Sequence, residues 1–179
     1  FFAMRLNPGQ ITMEMASDGS GNNFNPRASN RSVNDGVYHH IAVVRHTTTV
    51  SMYIDGILDY TNATPGITVI NNSANLLAGS GPCIGVDGTQ PYTGLLDEIS
   101  MYNRALTLGE IQSIYNAGSA GKCPPPPPSA ACVPPPSGLV NWWPGEGNAN
   151  DSADGANGTL QNGATFAAGE VGQAFSFDG

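Results

Sequence analysis

One loop of the sequence carries the residues best suited to bind a metal ion. Residues 148–157, NANDSADGAN, place Asp151, Asp154 and Asn157 in a polar loop that contains glycine. Hard cations such as Ca²⁺ take about six to eight oxygen ligands, some of them backbone carbonyls, and a loop of this type can supply them. It has no glutamate at the twelfth position, so it is not an EF-hand. A solvated acidic turn is the alternative, and these residues leave both interpretations open.

The remaining acidic residues do not favour catalysis. A retaining glycosidase needs two carboxylates about 5–5.5 Å apart. On a strand this requires alternate positions, because neighbouring side chains point to opposite faces. Asp97 and Glu98 are adjacent, and the sequence contains no Glu-x-Asp-x-Glu run. We therefore predict a chain that is not an enzyme in this part.

The histidines and tryptophans also alternate between faces. His39 and His40 are neighbours on a predicted strand, and His46 lies about 20 Å along it. No converging three-histidine site follows, and one packed and two solvated imidazoles are expected. Of Trp142 and Trp143, only one can face a ligand such as a sugar, while the other is expected in the core.

The elements that hold these residues are predicted to be short strands with one helix. Residues 95–102 alternate without Gly or Pro and predict one strand. Thr107 and Glu110 have the spacing of a capping box, so a short helix is expected to begin there and to end at Gly118. Other predicted strands are residues 1–6, 10–15, 39–46, 50–54, 57–60, 67–70, 76–78, 83–86, 139–143, 158–160, 164–166 and 174–177. Asp55-Gly56 predicts a two-residue hairpin turn.

Three stretches resemble laminin G-like domains of the concanavalin A-like lectin/glucanase superfamily. LLDEISMYNRALTLGEIQSIYNAG resembles the closing segment of such a domain. VYHHIAVVRHTTTVSMYIDG resembles its central hairpin, with Tyr38 where the family often has Trp. GLVNWWPGEGNANDSADGANGTLQNGATFAAGEVGQAFSFDG resembles its opening. The resemblance implies an all-β fold, an antiparallel two-sheet jelly roll of the concanavalin A-like type with one short C-terminal helix.

The order of these stretches implies two pieces of tandem repeats. Residues 1–121 are expected to be the C-terminal portion of one domain and residues 138–179 the N-terminal portion of a second, so the chain is expected to be part of a longer protein. Residues 122–137 form a Pro-rich linker that holds most of the chain's 14 prolines and is expected to be an unpacked polyproline II spacer. Because strand 95–102 lacks the opening strand of its own repeat, we predict that residues 139–143 pair with it, as in a circular permutant.

The resemblance extends the metal site to a third residue. In laminin G-like domains a calcium ion often lies where an Asp-rich opening loop meets the closing Leu-Asp strand, which implies Asp151 and Asp97 as ligands. With Asp154 beside them, the predicted Ca²⁺ ligands are Asp151, Asp154 and Asp97. The family loop more often has Asp-x-Ser-Gly-Asn, from which residues 153–155 depart.

Composition limits the partners. The net charge of −8 argues against nucleic acid or an anionic membrane, and no apolar run is long enough for membrane insertion. Cys123 and Cys132 bracket prolines, so a disulfide could close a small linker loop, and the sequence leaves open whether they are bonded. Cys83 is expected to be a buried thiol.

The resemblance also implies a function. We expect a secreted or cell-surface, non-enzymatic binding or adhesion repeat whose partner is a glycan or an extracellular protein. The alternative is an accessory, carbohydrate-binding module of a secreted hydrolase.

Overall fold

A computed structural model describes residues 2–16, 23–24, 28–64, 74–81, 91–124 and 132–179, and these ranges are mainly antiparallel β-structure. The predicted all-β class with one short α-helix is confirmed. Within the same ranges, no helix has the length and apolarity needed to cross a membrane. The strands are β1 Phe2–Asn7, β2 Gln10–Ala16, β3 Asn23–Phe24, β4 Ile41–His46, β5 Thr49–Ile54, β6 Ile57–Ala63, β7 Thr93–Leu96, β8 Ile99–Tyr102, β9 Leu139–Trp143, β10 Thr165–Ala168 and β11 Gln173–Asp178; the helices are α1 Leu108–Asn116 and a 3₁₀ turn at Gly118–Ala120.

The chain divides into two compact units, of which unit 1 comprises Phe1–Ala74 and Ala105–Tyr115. It contains one sheet in the order β1-β2-β3 and a second in the order β4-β5-β6. Met13 and Met15 occupy alternate positions of β2, as Val50 and Met52 do on β5, and these four buried side chains form one apolar cluster. Each such burial contributes about 1.5–3 kcal/mol, so this cluster is the main stabilising core of the unit.

Two local predictions in unit 1 are confirmed by hydrogen bonds and backbone angles. Asp55 and Gly56 both have positive φ, 54° and 70°, as a two-residue turn between β5 and β6 requires. The backbone N–H of Thr107 donates to Glu110 Oε2 at 2.8 Å, and the N–H of Glu110 donates back to Thr107 Oγ1 at 3.3 Å. This capping box starts α1, whose Ile111 is fully buried.

Unit 2 comprises Asn75–Arg104 and Asn116–Gly179. Its strands form a sheet in the order β10-β11-β7 and a separate β8-β9 ladder. β9 runs antiparallel to β8, with Ile99 opposite Trp143, and β11 runs antiparallel to β7, with Phe175 opposite Leu96. The pairing expected between residues 139–143 and the 95–102 segment is therefore present. The domain boundaries at residues 121 and 138, and their origin in two repeats, stay predictions.

The single strand predicted at residues 95–102 is wrong. β7 ends at Leu96 and β8 begins at Ile99, and the two strands pair with different partners. The break falls at Asp97-Glu98, where Glu98 has a φ of 55° that a strand cannot adopt. The alternation of side chains continues through the break, so periodicity alone does not reveal it.

Two further predicted strands, at residues 76–78 and 158–160, are also absent. Leu76 and Leu77 are exposed, so their apolar side chains have no sheet to pack against. The N–H of Gly158 bonds the carbonyl of Ala149 at 2.7 Å, within the loop rather than across a sheet. The strands predicted at 67–70 and 83–86, and Cys83 itself, lie outside the described residues.

The linker is packed at both of its described ends, which corrects the expectation of an unpacked spacer. Lys122 and Cys123 are buried, and Lys122 forms a parallel bridge with Val133. Cys123 and Cys132 are joined by a disulfide. Residues 125–131, which include most of the first proline run, lie outside the described part.

Candidate functional site

The loop at residues 148–158 is organised around the carboxylate of Asp151. Its Oδ1 accepts backbone N–H groups from Trp142 at 2.8 Å and Ala153 at 2.9 Å. Its Oδ2 accepts Asn141 Nδ2 at 2.7 Å and the N–H of Ala156 at 3.2 Å. Only 8% of Asp151 is exposed, so these four donors replace the water that a carboxylate otherwise binds. The loop is therefore tied to β9 through one side chain.

These contacts fix Asp151 as an anion. Burial by itself would raise the pKa of Asp151, but the hydrogen bonds from Asn141 and from nearby backbone N–H groups outweigh it and lower the pKa. Asp154 Oδ1 accepts the same Asn141 Nδ2 at 2.9 Å. The structure thus brings two of the three predicted ligands together, through an amide that the sequence analysis did not consider.

Asp97, the third predicted ligand, has different surroundings. Its Oδ2 accepts the backbone N–H of Val171 at 2.9 Å. Its Oδ1 is buried without a hydrogen-bond partner in the described part of the chain. A Cβ at Gly169 would lie only 2.6 Å from Oδ2, so a residue without a side chain lets the hairpin between β10 and β11 approach the carboxylate. Burial, with a smaller contribution from the charge of Glu98, raises the pKa of Asp97 to about 6.

The three aspartates do not form one cluster. Across the described residues, no hydrogen bond links Asp97 to Asp151 or Asp154, and no three His, Cys, Asp or Glu side chains are grouped so that they could hold a metal ion. The contacts of Asp97 are with the β10–β11 hairpin, whereas those of Asp151 and Asp154 are with β9 and their own loop. Asp97 therefore has surroundings separate from those of Asp151 and Asp154.

Glu98 is committed to a buried ion pair. Its Oε2 accepts Lys122 Nζ and also Trp142 Nε1, the latter at 3.1 Å. The ammonium group lies 5.0 Å from the centroid of the Trp142 ring. Sequence reasoning missed this cluster, because Lys122 belongs to the proline-rich linker and nothing in its spacing points to Glu98. A carboxylate neutralised in this way is a poor catalytic acid or base.

The two tryptophans are placed differently, as their alternation predicts. Trp142 is buried, whereas Trp143 is half-buried and donates its Nε1–H to the carbonyl of Ala156 at 3.0 Å. On the same face of the β8-β9 ladder as Trp143, Met101 stands opposite Asn141 and is exposed. On this face, the hydrogen bond to Ala156 fixes the orientation of the Trp143 ring next to the polar loop.

The ring of His39 is bonded to the hairpin turn between β5 and β6. His39 lies between two carboxylates, with Nδ1 2.9 Å from Asp55 and Nε2 3.0 Å from Asp35. The hydrogen bonds to Asp55 and Asp35 raise the pKa of His39, and the bond to His39 lowers the pKa of Asp35. His39 and His40 are half-buried and His46 is exposed, so the expectation of one packed and two solvated rings is wrong.

Comparison with known proteins gives one family match. A family model described as the concanavalin A-like lectin/glucanases superfamily, of laminin G type, matches residues 1–112. This range includes the central hairpin and most of the closing segment, and it does not include residues 138–179. No curated protein matches the chain.

One solved structure is similar to the chain. It is the crystal structure of an S-layer domain-containing protein, residues 221–444, from Clostridium thermocellum ATCC 27405. The identity is 22% over 60% of this chain, with a TM-score of 0.41. The similarity covers 52% of that structure, so the chain spans about half of its length.

Proposed function

This chain belongs to the laminin G-like family of the concanavalin A-like lectin/glucanase superfamily, and from that premise we propose that it is a non-enzymatic binding or adhesion module outside the cell or on its surface. The proposed ligand is a glycan, and an extracellular protein is the alternative that the experiment below separates. The superfamily includes both lectins and glucanases, so the absence of catalysis is part of the proposal.

The observation that carries the proposal is the surface formed by Trp143 and the 148–158 loop. The ring of Trp143 is held by its bond to Ala156, and the loop is held by Asp151, so the surface is ordered before a ligand arrives. Sites for small polar ligands combine an aromatic or apolar wall with a few well-placed polar groups. Asn141 lies on the same face of β9 as Trp143 and donates to the exposed Asp154, and hydroxyl groups of a sugar can donate to such a carboxylate.

The absence of catalysis is supported by the contacts of the two acidic neighbours, Asp97 and Glu98. Glu98 is paired with Lys122, and Asp97 Oδ2 accepts a backbone N–H from the β10–β11 hairpin. Hydrolysis of a glycosidic bond requires two carboxyl groups that face the same bond from either side.

Calcium is also part of the proposal, with Asp97 as the principal side-chain ligand. Asp97, Asp151 and Asp154 are not grouped in the described residues, so ligation by all three would require the 148–158 loop to move toward Asp97. Asp97 fits a hard cation, because its Oδ1 is a buried oxygen without a donor. Asp151 fits less well, because both of its oxygens already accept N–H groups and at least one donor would have to be released. When bound, the cation would supply charge neutralisation at Asp97.

The calcium proposal is tested by thermal unfolding of the whole chain in CaCl₂ and in EDTA. We expect calcium to raise the midpoint temperature and Asp97→Asn to remove that rise. A smaller loss is expected from Asp151→Asn, because Asp151 is already satisfied by the protein. Equal midpoints in both buffers would remove calcium from the proposal.

The ligand proposal is tested by glycan-array and polysaccharide-sedimentation measurements with the whole chain. Trp143→Ala should weaken binding by roughly tenfold or more, since a stacked ring contributes about 1–2 kcal/mol. Tyr115→Ala, which removes an exposed aromatic ring in unit 1, is the matched control and should leave binding unchanged. Binding to extracellular proteins but to no glycan would favour the alternative, and equal losses in both variants would contradict the assignment to Trp143.

A further inference from the structure

Lys122 has an unusual position for a lysine in a proline-rich linker. Its side chain is 2% exposed, and its ammonium group bonds Glu98 and faces the ring of Trp142. A buried charge is tolerated only where it is paired and hydrogen-bonded, because its removal from water is costly. A proline-rich linker does not by itself keep a lysine buried, so other contacts must hold Lys122 in this position.

The three residues of this cluster span the contact between two strands. Glu98 directly precedes β8, and Trp142 lies in β9 opposite Ser100. Because Trp142 Nε1 and Lys122 Nζ share one carboxylate oxygen, the cluster bridges the place where residues 138–179 pair with the earlier part of unit 2. Loss of the lysine would leave Glu98 as a half-satisfied acid beside that pairing.

The backbone around Lys122 is fixed by the disulfide. The N–H of Cys123 donates to the carbonyl of Val133 at 2.8 Å, and the N–H of Val133 donates to the carbonyl of Gly121 at 2.9 Å. The Cys123–Cys132 bond closes this pair of strand-like ends into a small ring. Gly121 has a φ of 62°, and a Cβ there would lie 2.8 Å from Val171, so the entry to the ring is also confined.

We propose that the Cys123–Cys132 disulfide is a redox-controlled latch for the β8-β9 pairing. With the bond formed, Lys122 is held against Glu98 and Trp142. A dithiol reductant transfers two electrons and two protons to the two sulfurs and leaves as its own cyclic disulfide. The Sγ–Sγ bond is then broken, the ends of the linker separate, and Lys122 exchanges its buried partners for water. Residues 138–179 are thereby loosened from β8.

The proposal is tested with a double-mutant cycle on the whole chain. Glu98→Gln, Lys122→Met and the double variant are compared with the parent. All four carry Cys83→Ser, so that Cys123 and Cys132 are the only cysteines and can form only one disulfide. Urea unfolding is followed by tryptophan fluorescence, which reports unit 2 because both tryptophans lie in β9. Each protein is measured oxidised and in dithiothreitol. The coupling is the factor by which the unfolding equilibrium constant of the double variant differs from the value expected if the two single substitutions acted independently.

We expect a coupling of about tenfold or more in the oxidised chain and of about twofold or less after reduction. Glu146→Ala is the matched control. It removes a carboxylate that accepts the N–H of Gln173, a contact that lies within residues 138–179 and away from the β8-β9 pairing, so its effect should be the same in both redox states. A coupling between Glu98 and Lys122 that survives reduction would overturn the latch.

Hydrogen exchange of the parent chain shows whether reduction loosens only β8 and β9 or a larger part of unit 2. The latch predicts that reduction lowers the protection of amides in β8 and β9 by about tenfold or more, while β4–β6 are unchanged. Loss of protection throughout unit 2, including β10 and β11, would show a general staple and would overturn the proposal. Unchanged protection in β8 and β9 would overturn it as well.

Discussion

Asp151 and Asp97 were assigned to one metal site on the resemblance to laminin G-like domains, yet their surroundings in unit 2 are opposite. Asp151 accepts four N–H groups, whereas Asp97 accepts one and has a buried oxygen without a partner in the described residues. The pKa is lowered for Asp151 and raised to about 6 for Asp97. The surroundings of Asp151 thus stabilise its charged form, whereas those of Asp97 destabilise it.

The difference shows that the number of donors decides what a buried carboxylate can do. Four donors make Asp151 a structural anion that positions the loop and leaves it little capacity for an external cation. A single donor leaves Asp97 with an oxygen whose burial is uncompensated, so it gains from a proton or a cation. Any ligand chemistry of these residues should therefore be sensitive to Asp97, and folding should be sensitive to Asp151.

The largest expected effect follows from Asp151→Ala. The change leaves the buried N–H of Trp142 and three other donors without their acceptor, and it should lower the free energy of unfolding by about 2–3 kcal/mol. Because the pKa of Asp151 is lowered on folding, its contribution is present above the unfolded pKa of about 4 and is lost as the pH falls below it. Urea unfolding followed by tryptophan fluorescence at pH 7 and at pH 3 measures both effects.

Asp151→Asn removes the negative charge of the side chain but keeps its shape, and it is measured by the same urea unfolding assay. The amide keeps one acceptor oxygen but turns its NH₂ group toward other N–H donors, so it should recover less than half of the loss. Full recovery would contradict the claim that the four donors require an anion.

The sequence predicted Asp151 because its setting is local. A polar loop between β9 and β10, rich in Asn, Asp and Gly, can be recognised from residue types, and β9 itself was predicted with its bounds. The hydrogen bonds that Asp151 accepts from Asn141 and from the backbone of Trp142 could not be predicted, because they depend on how the loop folds back on the strand.

Asp97 and Lys122 show where the local pattern fails. Side-chain alternation runs unbroken through Asp97-Glu98, although the chain leaves one sheet and enters another ladder there. The partners of both residues are distant in sequence, Val171 for Asp97 and Glu98 for Lys122. The all-β class and the capping box at Thr107 could be predicted from composition and local patterns. The pairing of β9 was predicted from the resemblance to laminin G-like domains, which implies an unfilled strand edge at residues 95–102.

A smaller effect of opposite sign is expected from Asp97→Asn in EDTA. The folded pKa of about 6 lies above the unfolded pKa of 3.8, so the folded state binds the proton more tightly and stability falls as the pH rises from about 4 to about 6. Asparagine keeps an acceptor for Val171 without the charge. At pH 7 it should raise the free energy of unfolding by about 1 kcal/mol, a value below that of the full pKa shift because Asp97 is only partly buried and solvent screens part of its charge.

The measurement is a series of urea unfolding curves between pH 4 and pH 7.5. The parent should lose stability across this window, and the loss should be smaller in Asp97→Asn. The raised pKa of His39 contributes a further loss that both proteins share. Calcium supplies a second condition, since a bound cation would favour the ionised carboxylate and reverse the sign of the substitution at pH 7. Destabilisation by Asp97→Asn in EDTA would contradict the description of Asp97 as an uncompensated anion.

The smallest effect is expected from Asp154→Ala. It tests whether Asp151 stabilises the fold because it is buried or only because it is one of the acidic residues of the loop. Asp154 lies three residues further along and shares the Asn141 donor, but it is exposed, so water can take the place of its hydrogen bonds to Asn141 and Ala156. The free energy of unfolding should change by no more than about 0.5 kcal/mol, as for other exposed positions. The same urea unfolding assay applies, with Asp151→Ala as the reference. A loss as large as that of Asp151→Ala would mean that Asp151 and Asp154 hold the loop jointly. The contrast with Asp97 would then be a property of the whole loop and not of the Asp151 carboxylate alone.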